Sequence, residues 1–224
     1  MSQKTLIYSL AGLAAVALAV VGYFVFLGNS SGNSDATTQS GERYAIQVTP
    51  DDRTMGSPKA PLTLLEYAAP SCPHCAHFDK DFFPQLKQQY IDTGKVFYIF
   101  RVFPLGDADL AAESIARCVP ADNYFSFIDL LFRNQDKWDP ENQVSDVRAG
   151  LVQVGRIAGM SDDQVNACMS NQAALQKAAK IGEEANTKYG VSTTPTFIAN
   201  GQVHGPFADW NDVKSFLDPM LAKK

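Results

Sequence analysis

Residues 62–75 read LTLLEYAAPSCPHC, an apolar run that leads into two cysteines separated by two residues. The run Leu62–Ala68 is too short for a stable helix and too continuous for a strand with one solvent-facing side, so it predicts a buried central strand. Pro73 suits the first turn of a helix, and an apolar stripe at helical spacing continues through Ile91. The strand should therefore lead directly into a helix, with the cysteine pair at the junction.

A second strand is predicted at Lys95–Phe103, which is rich in aromatic and β-branched residues. The order strand, helix, strand predicts a βαβ unit with a parallel strand pair. Pro84 lies inside the helical pattern and should kink it. Before this unit, Arg43–Val48 fits either a short edge strand or an extended arm, and 51–61 is predicted to be turn and loop.

The middle of the chain, from about 107 to 188, has helical patterns throughout. The predicted helices are Asp109–Cys118, Asn123–Asn134, Val144–Ala158, Ser161–Met169 and Ala173–Tyr189. Asp107 and Ser161 are predicted N-caps, and Gly159 and Gly190 are predicted to end helices.

The C-terminal part returns to strands. Thr196–Ala199 and Gln202–His204 flank Asn200-Gly201, a typical hairpin turn, and Asp209–Leu221 predicts a last amphipathic helix. The order is therefore β-α-β, a helical block, then β-β-α. This predicts an α/β fold in which a four-stranded sheet has helices on both faces and the helical block is an insertion between the two halves.

The N-terminal segment predicts export of everything that follows it. Leu6–Leu27 has no charge and would span roughly 33 Å as a helix, close to a hydrocarbon core of about 30 Å. Lys4 precedes it and no Lys or Arg follows until Arg43, which favours a cytoplasmic stub at 1–5 and an exported remainder. A cleaved signal peptide is the alternative. Residues 28–42 are predicted to be a flexible linker and 43–224 the exported domain.

The cysteine motif predicts a redox dithiol. A thiolate attacks a disulfide, and the start of a helix favours negative charge on Cys72. His74 can add positive charge or a hydrogen bond, and the Cys75 S–H can donate to the Cys72 sulfur. Cys72 is the predicted attacking sulfur and Cys75 the resolving one. A zinc site lacks two further ligands at suitable spacing, and an inert disulfide is sterically poor at this spacing, so both alternatives are weaker.

The chain resembles the DsbA family of thioredoxin-fold thiol–disulfide oxidoreductases, in its membrane-tethered bacterial form. The matching stretches are EYAAPSCPHC at 66–75, RVFPL at 101–105 and TTPTFIANG at 193–201. The resemblance implies a thioredoxin-like fold, and no cofactor is expected. It also implies that Pro73 and His74 form the dipeptide of the oxidising members, and that Thr194-Pro195 is a cis peptide facing the dithiol and the substrate. An ordinary strand-start proline is the alternative for Pro195.

Glu66 is a charged residue in a strand predicted to be buried, six residues before Cys72. In the family the equivalent glutamate lies under the dithiol and tunes proton transfer, so the resemblance implies that role here. Arg101 on the neighbouring strand is a candidate partner for its charge. The alternative is a Glu66 that turns to solvent at a strand end.

The remaining cysteines, Cys118 and Cys168, fall on separate helices of the insertion. In an oxidising compartment two such cysteines usually pair, and closing a loop of about 50 residues would contribute roughly 4 kcal/mol. Two separate buried thiols are the alternative.

The leading functional prediction is an exported oxidase that acts through a mixed disulfide at Cys72. Its expected partners are reduced exported proteins and a DsbB-like membrane quinone reductase, and it is expected to be a monomer. The alternatives are an isomerase or reductase on the same fold, since isomerases also use a threonine at the position of Thr194, and a membrane-tethered binding module. A net charge of −5, with no basic run after Lys4, argues against nucleic acid.

Overall fold

The computed structural model describes residues 44–222 of the 224-residue chain. Within this range the chain forms a five-stranded mixed sheet with the order β1-β3-β2-β4-β5, so that β2 lies at its centre. The strands are β1 (Arg53–Met55), β2 (Leu62–Ala68), β3 (Val96–Val102), β4 (Thr196–Ala199) and β5 (Gln202–His204).

The pairing confirms the βαβ unit and the returning hairpin. β2 and β3 are parallel, with Leu62 opposite Val96, whereas β4 is antiparallel to β2 and β5 is antiparallel to β4. Asn200 and Gly201 both have positive φ, as a tight two-residue hairpin turn requires.

The prediction of four strands is wrong by one. β1 is three residues long and pairs antiparallel with β3, with Arg53 opposite Phe100. A strand this short has no readable periodicity, and the nearby Gly56 and Pro58 favour a loop reading. The described part of the preceding segment, residues 44–48, is an arm without strand pairing.

The predicted kink after the cysteine pair is confirmed. Helix α1 (Pro73–Asp81) is followed by α2 (Phe83–Leu86) and a π-helical turn (Lys87–Ile91). The break falls at Phe82, two residues before Pro84. A proline ring clashes with the carbonyl four residues earlier and disfavours helical backbone just before it, so the helix is interrupted on the N-terminal side of Pro84.

The five predicted helices of the insertion are present, with ends shifted by a few residues, and one short helix was not predicted. The insertion contains α3 (Asp107–Ala116), α4 (Tyr124–Arg133), α5 (Gln135–Trp138), α6 (Val147–Ile157), α7 (Asp162–Met169) and α8 (Gln172–Tyr189), and α9 (Trp210–Ala222) follows β5.

The helix ends agree with three of the four predicted signals. Ser161 caps α7, Gly159 follows α6 with positive φ, and Gly190 ends α8 in the left-handed conformation. The predicted cap at Asp107 is wrong, because the Gly106 carbonyl already accepts the first helical hydrogen bonds. Asp107 is instead the first residue of α3, where a negative charge still favours the helix dipole.

Alternation along β2 decides which side chains face the cysteine pair. Leu64 and Ala68 belong to the larger core cluster, which also contains Cys72 and Cys75. Leu65 and Tyr67 belong to the smaller cluster on the opposite face of the sheet, packed against α8. Because successive side chains of a strand point to opposite faces, Glu66 points toward the larger core and the cysteine pair.

Within residues 44–222, none of the helices combines the length and the apolar character that a membrane span requires. The predicted anchor Leu6–Leu27, the stub at 1–5 and the linker 28–42 lie outside the described residues.

Candidate active site

The cysteine motif lies where the turn after β2 runs into α1. The Cys72 N–H donates to the Ala69 carbonyl at 3.0 Å, which closes the turn. Cys72 is the N-cap of α1, and its sulfur accepts the Cys75 N–H at 3.3 Å. Pro73 occupies the first helical position, where its missing N–H costs no helical hydrogen bond. One sulfur is thereby placed at the positive end of a helix.

The Cys72 thiol is strongly acidified. Its pKa is lowered from 9.0 to about 6, mainly by a hydrogen bond from the Cys75 side chain. Burial opposes this shift, whereas Thr194 and the backbone N–H groups of Cys75 and His74 add to it. At pH 7 this cysteine is therefore mostly the thiolate, the form that attacks disulfides and leaves from them.

The Cys75 thiol behaves in the opposite way. It has no exposed surface, whereas Cys72 retains 4% exposure. Burial is the main reason that the pKa of Cys75 is raised well above 9.0, and the nearby Cys72 and Glu66 act in the same direction. Both cysteines are free thiols, so the structure shows the reduced form of this pair.

Thr194 and Pro195 lie against the reactive sulfur. The peptide bond between them is cis, and the Thr194 carbonyl oxygen lies 3.3 Å from the Cys72 sulfur, which donates to it as a thiol. Both residues are buried, just before the start of β4. The fold thus brings together two segments that lie 122 positions apart in the chain.

Glu66 is buried on the side of the sheet that carries the dithiol, with 2% of its surface exposed. Its carboxylate accepts the Tyr98 hydroxyl at 2.5 Å. Burial raises the pKa of Glu66 to about 8, the Tyr98 hydrogen bond opposes the shift, and the charges of Asp79 and Cys72 add to it. At pH 7 this side chain is therefore mostly a neutral acid. The alternative of a solvent-facing Glu66 is wrong.

The predicted partner of Glu66 is also wrong. Arg101 lies opposite Tyr67 in the parallel register, so its side chain is on the other face of the sheet. There its guanidinium donates to both carboxylate oxygens of Asp52, at 2.7 and 2.8 Å, and to the Tyr67 hydroxyl at 3.1 Å. The partner that the structure gives to Glu66 is the neutral Tyr98 hydroxyl.

Two further carboxylates accompany Glu66 and were not predicted. A cavity of about 350 Å³ is lined by Glu66, Asp79 and Asp129, among others. The pKa of Asp79 is raised to about 7, mainly by burial and further by Asp129. Asp79 follows Cys75 by one helical turn, a spacing that puts both on one face of α1 and could have drawn attention to it.

His74 acts on Cys72 through its backbone. Its side chain is exposed at the start of α1, while its N–H is one of the donors that lower the pKa of Cys72.

Cys118 and Cys168 are joined by a disulfide, with an S–S distance of 2.08 Å. The bond connects Cys118, two residues beyond the end of α3, with Cys168 in the last turn of α7, inside the helical insertion. Among residues 44–222 no group of three or more His, Cys, Asp or Glu side chains is arranged to hold a metal ion.

Comparison with known proteins identifies the family. A family model described as Thioredoxin matches residues 48–219. The crystal structure of Wolbachia pipientis alpha-DsbA1 matches with a TM-score of 0.73 and 31% identity, over 82% of this chain and 96% of that one. The chain belongs to the DsbA family of thioredoxin-fold proteins. The predicted thioredoxin-like α/β fold is confirmed.

Other proteins similar to this chain are described as protein-disulfide oxidoreductases or isomerases. A Rickettsia bellii protein named as a protein-disulfide oxidoreductase is 32% identical over 71% of this chain and 61% of its own length. A Novosphingobium aromaticivorans structure described as a protein-disulfide isomerase has a TM-score of 0.67 and 26% identity, over 76% of this chain and 97% of that one. The chain thus spans about three fifths of the length of the curated Rickettsia relatives that it matches.

Proposed function

We propose that this DsbA-family chain is a thiol:disulfide oxidase that donates a Cys72–Cys75 disulfide to proteins folding outside the cytoplasm. The observation that carries the proposal is the contrast between the two sulfurs. Cys72 is the N-cap of α1 and accepts the Cys75 N–H at 3.3 Å, whereas Cys75 is fully buried. The pKa of Cys72 is accordingly lowered to about 6 and that of Cys75 is raised. A stabilised Cys72 thiolate favours the reduced dithiol, and the disulfide form is correspondingly oxidising.

The reaction starts from the Cys72–Cys75 disulfide. A substrate thiolate attacks the Cys72 sulfur, the Cys72–Cys75 bond breaks, and Cys75 leaves with the electron pair and takes up a proton. A second substrate thiolate then attacks the substrate sulfur of the mixed disulfide, and Cys72 leaves as the thiolate. The substrate loses two electrons and two thiol protons, and the dithiol gains the two electrons.

Attack at Cys72 is supported by exposure and by leaving-group strength. Cys72 has the exposed edge, whereas the Cys75 sulfur is enclosed. In the second step the low pKa of Cys72 makes it the better leaving group. The backbone of Thr194, beside this sulfur, would pair with an extended substrate chain as an added strand.

Glu66 is the proposed source of the proton that Cys75 takes up. Its carboxyl is mostly protonated at pH 7 because burial raises its pKa to about 8, and it lies near enough to Cys75 that its ionised form would raise the pKa of that thiol. The Tyr98 hydroxyl at 2.5 Å holds the carboxyl in place. Donation of this proton avoids leaving a Cys75 thiolate in an apolar site, where an unpaired charge is strongly disfavoured.

The oxidase would need a source of electrons, an electron acceptor and a location outside the cytoplasm. Reduced exported proteins supply two electrons in each turnover, and a DsbB-like membrane quinone reductase would remove them from the dithiol. The catalytic domain acts as a monomer in the periplasm or outside the membrane, tethered by Leu6–Leu27 or released by cleavage, without a cofactor or metal ion. Detection of the intact N-terminus in the membrane fraction would distinguish the tethered from the released form.

The test uses a reduced, unfolded substrate protein with two cysteines and the oxidised form of this chain. The expected result is one substrate disulfide formed for each Cys72–Cys75 disulfide lost, measured by alkylation and mass spectrometry. Cys75→Ser, given the oxidised substrate, should accumulate a mixed disulfide at Cys72. A substrate that stays reduced would contradict the proposal. Full folding activity in Cys72→Ser would instead indicate a binding module.

An isomerase is the second candidate, favoured by the similarity to the Novosphingobium protein. The discriminating substrate is a protein with scrambled disulfides, mixed with the reduced form of this chain. An isomerase would restore the native pairing at a catalytic rate, whereas an oxidase with a strongly acidified Cys72 should accelerate it little.

A further inference from the structure

The turn that carries Cys72 is held from outside by the helical insertion. Asp109, in the first turn of α3, is 1% exposed. Its carboxylate accepts the Ser71 N–H at 2.8 Å, the Ser71 hydroxyl at 3.0 Å and the Leu105 N–H at 2.9 Å. One buried side chain therefore ties the residue before Cys72 to the segment that follows β3.

Gln135 holds the same turn from a second helix. It is the first residue of α5, and its side-chain amide donates to the Pro70 carbonyl at 2.8 Å and to the Cys72 carbonyl at 3.2 Å. Together with Asp109, it restrains three consecutive residues through their N–H, hydroxyl and carbonyl groups. Neither side chain takes part in the exchange reaction described above.

We propose that Asp109 and Gln135 are positioning residues that set the oxidising strength of the dithiol, because they hold the Cys72 sulfur against its hydrogen-bond donors. This inference rests on the proposed function. It assigns the helical insertion a part in the chemistry, since both side chains come from it while the dithiol belongs to the βαβ unit.

The physical reason is that the donors to Cys72 act at short range. The sulfur accepts the Cys75 N–H at 3.3 Å, and hydrogen bonds weaken steeply when distance or angle changes. Without Asp109, the Ser71 N–H and hydroxyl lose a buried acceptor, and the turn must move to find another. Without Gln135, the Pro70 carbonyl loses the side-chain amide at 2.8 Å, and the Cys72 carbonyl keeps only the Ala76 N–H at 3.1 Å. Either change would let the Cys72 sulfur move away from the Cys75 N–H at the start of α1.

The experiment compares Asp109→Ala, Asp109→Asn and Gln135→Ala with the unmodified protein. The pKa of Cys72 is read from thiolate absorbance, and the dithiol is equilibrated with glutathione. Both alanine variants should raise the Cys72 pKa by about one unit, which is a tenfold change in the ionisation constant, and make the couple up to about tenfold less oxidising. Asp109→Asn keeps one acceptor oxygen, so its Cys72 pKa and glutathione equilibrium should lie between those of the unmodified protein and of Asp109→Ala.

The matched control is Glu113→Gln, on the same helix. Glu113 is fully buried like Asp109, but its carboxylate accepts from Arg117 at 2.6 Å and from Tyr124 at 2.7 Å. This control should lower the thermal unfolding midpoint and leave the Cys72 pKa unchanged.

Two results would overturn the inference: folded Asp109 and Gln135 variants with the original Cys72 pKa and glutathione equilibrium, or an equal shift in Glu113→Gln. If Asp109→Ala does not fold, Asp109→Asn and Gln135→Ala carry the same test. The unmodified protein separates the two proposals, because a couple no more oxidising than glutathione would refute the oxidase whatever the variants show.

Discussion

The two cysteine pairs of this molecule lie at opposite kinds of helix end. Cys72 is the N-cap of α1, where the helix dipole favours a negative sulfur. Cys118 follows the C-terminal end of α3 and Cys168 lies in the last turn of α7, where the same dipole disfavours a thiolate. The first pair is free and the second is joined. Since exchange proceeds through thiolates, the first pair is suited to react and the second to remain closed.

The pairs also differ in what a disulfide would do for folding. Cys72 and Cys75 enclose only two residues, so their bond constrains the unfolded chain little. Cys118 and Cys168 are 50 positions apart, and their bond removes much more freedom from the unfolded chain. The comparison indicates a division of roles: spacing and helix end decide whether a disulfide performs chemistry or stabilises the fold.

The largest expected effect is the complete loss of oxidase activity in Cys72→Ser. The substitution removes the sulfur that is attacked, and no other described thiol is free except the enclosed Cys75. Disulfide formation in the reduced substrate is the measurement. If the variant still oxidises the substrate, the division between the two pairs breaks down.

The next effect is on proton transfer, in Glu66→Gln. The amide keeps the shape of the side chain and cannot supply a proton to Cys75, so the oxidation rate should fall by about a hundredfold at pH 7. Stopped-flow measurement of the first exchange step is the check. A rate equal to that of the unmodified protein would exclude Glu66 from proton transfer.

The same variant should change how stability depends on pH. Burial raises the pKa of Glu66 from 4.5 to about 8, so between these values the folded state binds a proton that the unfolded state has lost. Stability conferred by the neutral carboxyl is full below about pH 4.5 and is lost as the pH rises through about 8, by up to about 1.4 kcal/mol per pH unit. Urea unfolding at several pH values should show this contribution in the unmodified protein and its absence in Glu66→Gln. If the free energy of unfolding changes with pH equally steeply in the two proteins, this contribution of Glu66 is contradicted.

The smallest effect on activity is expected when both Cys118 and Cys168 are replaced by alanine. The free energy of unfolding should fall by about 4 kcal/mol, because the loop between residues 50 positions apart is no longer closed. The oxidation rate at a temperature where the variant is folded should change by less than about twofold. Chemical denaturation and the substrate assay measure the two quantities. A large loss of oxidation with little loss of stability would reverse the assigned roles.

Local patterns were sufficient to predict the elements that carry the dithiol. The bounds of β2 and β4, the start of α1 at Pro73 and the turn at Asn200-Gly201 all follow from apolar runs and turn residues. These signals are readable because each arises within a few neighbouring residues. β1 was missed because its strand character comes from pairing with β3, which lies more than 40 positions away.

The surroundings of the site were much less predictable. Arg101 was expected beside Glu66, but the one-residue offset in the parallel register puts it on the opposite face. Asp109 and Gln135 reach the Cys72 turn from 38 and 63 positions or more along the chain. Neither belongs to a motif, so only the packing of the insertion against the βαβ unit identifies them.

The equilibrium of the Cys72–Cys75 dithiol with glutathione decides whether the dithiol is an oxidant. The protein is incubated with a series of ratios of reduced to oxidised glutathione, and the fraction of Cys72–Cys75 disulfide is measured after acid quenching and alkylation. We expect a couple more oxidising than glutathione, with the dithiol staying reduced until oxidised glutathione is in large excess. A dithiol that becomes oxidised at a mostly reduced glutathione ratio would contradict it.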